Sequence, residues 1–401
     1  MSHSKIAPIA RPLPFASALA AAALLAACSA GGDNQGSSGT PTSPTGSGGN
    51  QTCSTDAYGT TTCTPTTGTT FGGAGGGNYV ANTLVSDTAA TNALHHDANL
   101  VNAWGLAFNP TGFAWVTDAG TGKSTLYDGD GVLQSPVVAL AGGGDAAGIV
   151  YNGTADFSFT EATVSAPASF IFATLQGQIE AWSQTVNATN AFVVVDNSTS
   201  GAVYTGLAID TSAGGNMIYA ADFSHATVDV FSGAFAPVTT AGGFVDSTLP
   251  AGYAPFGIQQ IGDEIYVTYA QPDPVTHEKT GAGLGLVDVF DKQGNLLSHL
   301  IPAGGALNAP WGLAMAPAGF GKFANMLLVG NFGDGKINAY NPSTGAMVGT
   351  VSNNDGTAIV IPGLWALQFG NDLNSEPSTT LFYTAGPGAE AHGLYGRIDN
   401  N

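Results

Sequence analysis

From Val101 the chain reads VNAWGLAFNPTG, in which Leu106 and Phe108 alternate with Ala107 and Asn109. A period of two places successive side chains on opposite faces of a strand. The phrase returns as NAPWGLAMAPAG from Asn308. Weaker copies stand in DAAGIVYNG from Asp145, YTGLAIDTS from Tyr204, YAPFGIQQIG from Tyr253 and IPGLWALQFGND from Ile361. Second strands follow in FAWVTDAG, MIYAADF and MLLVGNF, then third strands in KSTLYDGDG, ATVDVFSG and KINAYNPSTG. With Gly105, Gly148, Gly206, Gly257, Gly312 and Leu364 as pivots, the units recur every 43 to 58 residues. That length fits one four-stranded sheet with long loops, a propeller blade. A solenoid is the rival, but six units without an obvious capping repeat favour a closed ring.

The last unit ends one strand short near Arg397, Ile398 and Asp399, while YVANTLVSD at Tyr79 to Asp87 is a strand without a unit. We expect that strand to complete the last blade. The predicted fold is therefore an all-β, six-bladed β-propeller over residues 79–401, closed by its own N-terminal strand. Glycines such as Gly105 and Gly312 would let crowded inner strands approach closely.

The chain before the propeller reads differently. Lys5 and Arg11 precede the apolar run FASALAAAALLAAC, which is too short for a permanent membrane span. Residues 28–78 are rich in Gly, Ser, Thr and Pro and predict a flexible tether. Within it, Cys53 and Cys63 suggest a small disulfide loop in an oxidising compartment; a metal-binding pair is the alternative. Residues 79–401 hold no cysteine, which excludes a cysteine nucleophile there.

Composition narrows the function classes. Charged residues make up 9%, Gly numbers 57 and the formal net charge is −20. Such a chain repels phosphate backbones, so nucleic acid is not an expected partner.

Two resemblances add to this. The end of the apolar run, Leu25-Ala26-Ala27-Cys28, resembles the bacterial lipobox. It implies a lipoprotein signal peptide over residues 1–27, a lipidated Cys28 (palmitate among its acyl chains) and, with Ser29 next, an outer-membrane address in the cell envelope. An ordinary signal peptide with a chance cysteine is the alternative. The blades resemble NHL-type repeats. The stretch from Asn82 to Gly131 and the terminal LFYTAGPGAEAHGLYGRI resemble a family of uncharacterised exported bacterial proteins. That resemblance implies a six-bladed propeller and supplies no catalytic residue.

Propeller geometry points to one channel mouth, where inner strands begin and second strands end. Trp104, Phe256, Trp311 and Trp365 stand at or beside strand starts, with Asn102, Asp145 and Asn308 nearby. Asp118, Asp222 and Asn331 stand at second-strand ends, with Gln176, Tyr269 and Thr384 in the other blades. Aromatic faces with short polar groups suit a sugar or another flat neutral ligand. The plainer reading is that the tryptophans pack between blades and the Asp and Asn residues cap turns. Oxygen donors at Asn102, Asp118, Asp145, Asp222 and Asn308 would also suit Ca²⁺, as in lactonase-like propellers, although no axial Glu and catalytic Asp align. No other cofactor is expected. His95 and His96 point oppositely on an extended segment and read as a surface pair, YDGDG at Tyr127 reads as a hairpin turn, and no nucleophile elbow occurs.

Two functions remain open. The leading one is a lipid-anchored binding or interaction module for a glycan, a small molecule or an envelope protein. The alternative is a metal-assisted hydrolase or lyase working at the channel mouth.

Overall fold

A computed structural model describes residues 51–55, 61–65 and 79–400, except 90, 212–214 and 275–276. The chain divides into two units, Met1–Phe71 and Gly72–Asn401. In the first, strands Gln51–Thr55 and Thr61–Pro65 pair antiparallel, with Cys53 opposite Cys63 in the register. Their side chains, and Cys28 with the signal segment, lie outside the described residues. Among the described residues no helix is long and apolar enough to cross a membrane.

The second unit is a ring of six sheets, each running from an inner to an outer strand, in chain order in the first five and completed by earlier strands of the chain in the sixth. The inner strands are Ala103–Phe108, Ala146–Tyr151, Tyr204–Asp210, Ala254–Ile261, Pro310–Met315 and Leu364–Phe369. Each packs against the next, and the sixth packs against the first. The predicted closure is present. Tyr79–Ser86 is antiparallel to Leu394–Asn400, the third strand of blade 6, with Tyr79 opposite Asn400. Tyr79 locks the seam: its hydroxyl donates to the Phe320 carbonyl at 2.7 Å and accepts from the Phe323 amide at 3.1 Å, both in blade 5. His95–His96 adds a short parallel strand at the blade edge, with both histidines exposed.

Burial follows the alternation read in the sequence. Separate apolar clusters fill the gaps between successive blades, and a further, mostly aromatic cluster fills the axis. Blade 3 keeps three strands and only a bridge, Phe231 to Pro237, where a fourth would lie. Blade 4 is extended: its second strand, Glu264–Asp273, turns back onto His277–Lys279.

The pivots explain the repeated phrase. A Cβ added to Gly105, Gly257 or Gly312 would run into the backbone carbonyl of Ala147, Trp311 or Trp365, each on the next inner strand. The inner strands bulge at this point, between Ala103 and Leu106 and between Pro255 and Ile258. The freed amides of Gly105 and Gly257 donate to Thr117 Oγ1 and Thr268 Oγ1 at 2.7 and 2.8 Å. In blade 6 the amide that donates to a threonine, Thr384, belongs to Ala366. The sixth pivot is therefore Ala366, two residues after the Leu364 expected from the sequence: Trp365-Ala366-Leu367 stands where Trp104-Gly105-Leu106 stands in blade 1, and Leu364 is the counterpart of Ala103, where the bulge opens in both.

Replacing Gly257 by Ala should cost on the order of 1–3 kcal/mol of unfolding free energy by overpacking. Gly305→Ala is the control, since nothing lies within 4 Å of its added Cβ. Equal denaturation midpoints for the two variants would remove the crowding argument.

Candidate functional site at one mouth of the channel

The residue before each pivot meets its counterparts at the axis. Around the ring these are Trp104, Ala147, Thr205, Phe256, Trp311 and Trp365. Trp104 and Trp365 stack at 3.8 Å between centroids, and Trp311 sets its edge toward both, at 6.3 and 6.1 Å. Phe256 lies 5.8 Å from Trp365. Four aromatic residues and two small ones make a lopsided plug. One position past each pivot, Leu106, Ile149, Leu207, Ile258, Leu313 and Leu367 contribute one aliphatic side chain per blade. They surround a space of only about 20 Å³, roughly that of one water. The channel is closed on that side.

On the side of Ala147 and Thr205 the plug leaves a cleft of about 410 Å³. Its floor and walls are Trp104, Leu175, Thr205, Phe223 and Phe256. Asp145, Gln176 and Ser224 form the rim, and Pro272, Asp273, Pro274 and His277 come from the blade 4 extension. Two of the three axial indoles are satisfied: Trp311 Nε1 donates to the Thr205 carbonyl at 2.8 Å and Trp365 Nε1 to Asn102 Oδ1 at 2.9 Å. The buried Trp104 Nε1 finds no acceptor among the described residues. An unmet buried donor is costly, and this one belongs to a residue lining the cleft.

The mouth is acidic. Asn102 holds a left-handed backbone, φ 48°, as does Asp145 at φ 57°, two residues before the axial position in their blades. Asn102 Nδ2 donates to Glu390 Oε2 at 2.8 Å, tying the last loop to the axial indole it also holds. Gln176 Nε2 donates to Asp145 Oδ2 at 2.6 Å. Glu278 is 2% exposed. Burial, then the charge of Glu390, pushes its carboxyl up to about 9. Burial also raises Glu390; the Asn102 hydrogen bond and His277 oppose that rise, and Asp145 adds to it.

The sequence-based candidates separate into two sets. Asn102, Trp104, Asp145, Gln176, Phe256, Trp311 and Trp365 meet at the axis or line the cleft. Asp118, Asp222, Asn308 and Asn331 make bonds within or beside their own blades. Asp222 Oδ1 accepts from the Val203 amide at 3.1 Å and from Ser224 Oγ at 2.9 Å, and Oδ2 lies 2.7 Å from His225 Nδ1. Asp118 is fully buried and accepts from Thr125 Oγ1 at 3.2 Å; burial pushes its carboxyl well above the usual range. Asn331 Oδ1 accepts from the Asn308 amide at 3.1 Å, and Asn308 Oδ1 accepts from the Gly281 amide at 2.6 Å. Among the described residues, Asp118, Asp145 and Asp222 do not come together as a three-carboxylate group at ligating distances. Sequence reasoning passed over Leu175, Phe223, His277, Glu278 and Glu390. Phe223 directly follows Asp222 at a second-strand end, and Glu278 lies in the long blade 4 loop, so position offered a signal.

The fold and cleft define a six-bladed β-propeller with an axial aromatic plug and one acidic mouth. The chain belongs to the family of "Uncharacterized protein R648" of Acanthamoeba polyphaga mimivirus, with which it is 31% identical over 329 residues, 79% of each protein. "Uncharacterized protein L690" of the same virus is 30% identical over 287 residues, 69% of this chain and 75% of that protein. These relatives are viral, whereas the sequence resemblance pointed to exported bacterial proteins. No family model matches the chain. Among solved structures, virginiamycin B lyase from Staphylococcus aureus aligns with a TM-score of 0.44 at 12% identity, over 88% of this chain and 89% of that one. A streptogramin B lyase aligns with a TM-score of 0.45 at 11% identity, over 81% and 98%.

The buried carboxyl of Glu278 links stability to pH. The folded chain keeps this proton to about pH 9, whereas an unfolded Glu loses it near 4.5. Stability should therefore fall as pH rises through that window. Glu278→Gln should flatten the decline, so that the variant melts above the parent at pH 9 and close to it at pH 5. Parallel melting curves for the two proteins would refute the assignment.

Proposed function

We propose that the protein is a binding module whose ligand is a small molecule with a flat apolar body, neutral or cationic, seated in the cleft beside Trp104. The observation that carries this reading is the cleft itself: an aromatic floor open on one side, with an unmet indole donor and an acidic rim. Aromatic faces attract flat ligands and cations alike, and the surrounding carboxylates disfavour anions. A carbonyl or hydroxyl oxygen on the ligand would satisfy the Trp104 N–H. A glycan or a protein loop inserting such a group is the broader form of the same reading.

The metal-assisted hydrolase or lyase is the weaker reading. Asp222 spends its oxygens within its own blade, and Asp118, Asp145 and Asp222 form no three-carboxylate group at ligating distances among the described residues, which favours binding over a Ca²⁺-centred reaction.

The cleft is tested by filling it. Leu175→Trp should leave the melting temperature within a few degrees and reduce affinity for aromatic amines and flat neutral ligands at least tenfold, read from quenching of intrinsic tryptophan fluorescence. Unchanged affinity for a ligand the parent binds would place the site elsewhere.

We further propose that the protein is exported and held at a membrane by lipid on Cys28, which would present the module at the cell envelope. The support is the order of basic residues, apolar run and small residues before that cysteine. Expressed in a bacterial host, the full chain should incorporate labelled palmitate and partition with membranes, and Cys28→Ser should do neither. Labelling that survives the substitution defeats this part.

A further inference from the structure

Away from the mouth, blade 4 carries a second cluster that neither the cleft nor the ring requires. Asp288 and His299 sit opposite each other on the third and fourth strands, Leu286–Phe290 and Leu296–Ile301. His299 Nδ1 lies 2.6 Å from Asp288 Oδ1 and 3.1 Å from Asp246 Oδ2, the aspartate arriving from the connection between blades 3 and 4. The ligating atoms of the three residues lie within 4.8 Å of one another. Both aspartate side chains are fully buried, while that of His299 is 29% exposed.

The oxygens are unevenly used. Asp246 Oδ1 accepts from both the amide and the hydroxyl of Thr248 at 2.7 Å. Asp246 Oδ2, aimed at His299, takes no hydrogen bond, and neither does Asp288 Oδ2. Among the described residues no lysine or arginine pairs with either aspartate. Two buried carboxylates thus converge on one imidazole with oxygens left unpartnered, and a buried polar atom without a partner is expensive. A divalent cation would balance the pair.

We propose that Asp246, Asp288 and His299 bind one divalent transition-metal ion of the zinc or manganese class. One imidazole nitrogen and two carboxylate oxygens suit such an ion, whereas Ca²⁺ and Mg²⁺ prefer all-oxygen shells. The half-exposed side of His299 leaves a position for water. The ion would pin the crossover between blades 3 and 4 to the outer edge of blade 4, where blade 3 lacks a full fourth strand to cover the join.

The test is metal titration of the chelator-stripped full chain by calorimetry and thermal melting, with Zn²⁺ and Mn²⁺ against Ca²⁺. One equivalent of Zn²⁺ or Mn²⁺ should bind and raise the melting temperature by several degrees, and Ca²⁺ should do neither. Asp288→Asn should lose at least 100-fold in affinity. If that buried variant fails to fold, His299→Gln, at the partly exposed corner, decides on the same criterion, since outer-shell changes alone cost 10–100-fold. Co²⁺ should give a visible absorption band that His299→Gln removes. A parent protein that binds no equivalent of Zn²⁺ or Mn²⁺, or variants that bind as the parent does, would reduce the cluster to a histidine–carboxylate ion pair and overturn the proposal.

Discussion

Crowding at the axis governs this molecule. Six strands converge so closely that five of the six pivots are glycine and the sixth is alanine. The approach forces each inner strand to bulge, and a bulge frees an amide. In blade 1 the freed amide is met by Thr117, whose hydroxyl in turn donates a hydrogen bond to the Ala147 carbonyl of blade 2 at 3.0 Å. In blade 6 Thr384 does the same, donating to the Trp104 carbonyl of blade 1. Thr205, on an inner strand, reaches the Phe256 carbonyl of blade 4 at 2.7 Å. The repeated phrase in the sequence is thus a repeated solution to one steric problem, and the threonines convert that solution into bonds between blades.

The same crowding fixes where a ligand can go. Aliphatic side chains, one per blade, leave no passage on one side of the axis. On the other, the six positions before the pivots decide the shape. Tryptophan or phenylalanine in four of them fills most of the space, and alanine and threonine in the other two leave the cleft. A ring of six identical residues would have been either plugged or open. The departure from symmetry leaves the cleft, and the blade 4 extension lines it with Pro272, Asp273, Pro274 and His277.

The blades, their number and the strand that closes them were legible because each rests on a short periodic pattern and on counting. Leu364 misled because the sixth unit carries alanine rather than glycine at its pivot, so the place of Ala366 is unmarked and Leu364, the counterpart of Ala103, stands in for it. Trp104, Asp145 and Trp365 were legible as mouth residues from their place in the unit. Asp118 and Asp222 occupy an equally suggestive place, but the Val203 and His225 amides take Asp222, and Asp118 is buried against Thr125 on the neighbouring strand. Glu390 was not legible, because its place at the mouth depends on a contact with Asn102, 288 positions away. Glu278 sits on a strand that folds back locally onto Gln271–Asp273, and only its place in the long blade 4 segment hinted at it.

Those two glutamates bear on the functional reading. Placing Glu278 in a dry, already negative mouth raises its proton affinity and weakens the fold at neutral pH. A glutamine of the same shape would carry no such penalty, so ring closure does not account for the carboxyl. A ligand bearing a positive charge, or a hydroxyl able to share the proton, would recover part of the cost on entering the cleft. The acidic mouth and the unmet Trp104 donor are two departures from a fully satisfied structure within one small volume. Stable folds concentrate such departures where they bind something. Their coincidence beside the two small residues of the plug is the physical ground for the proposed binding role.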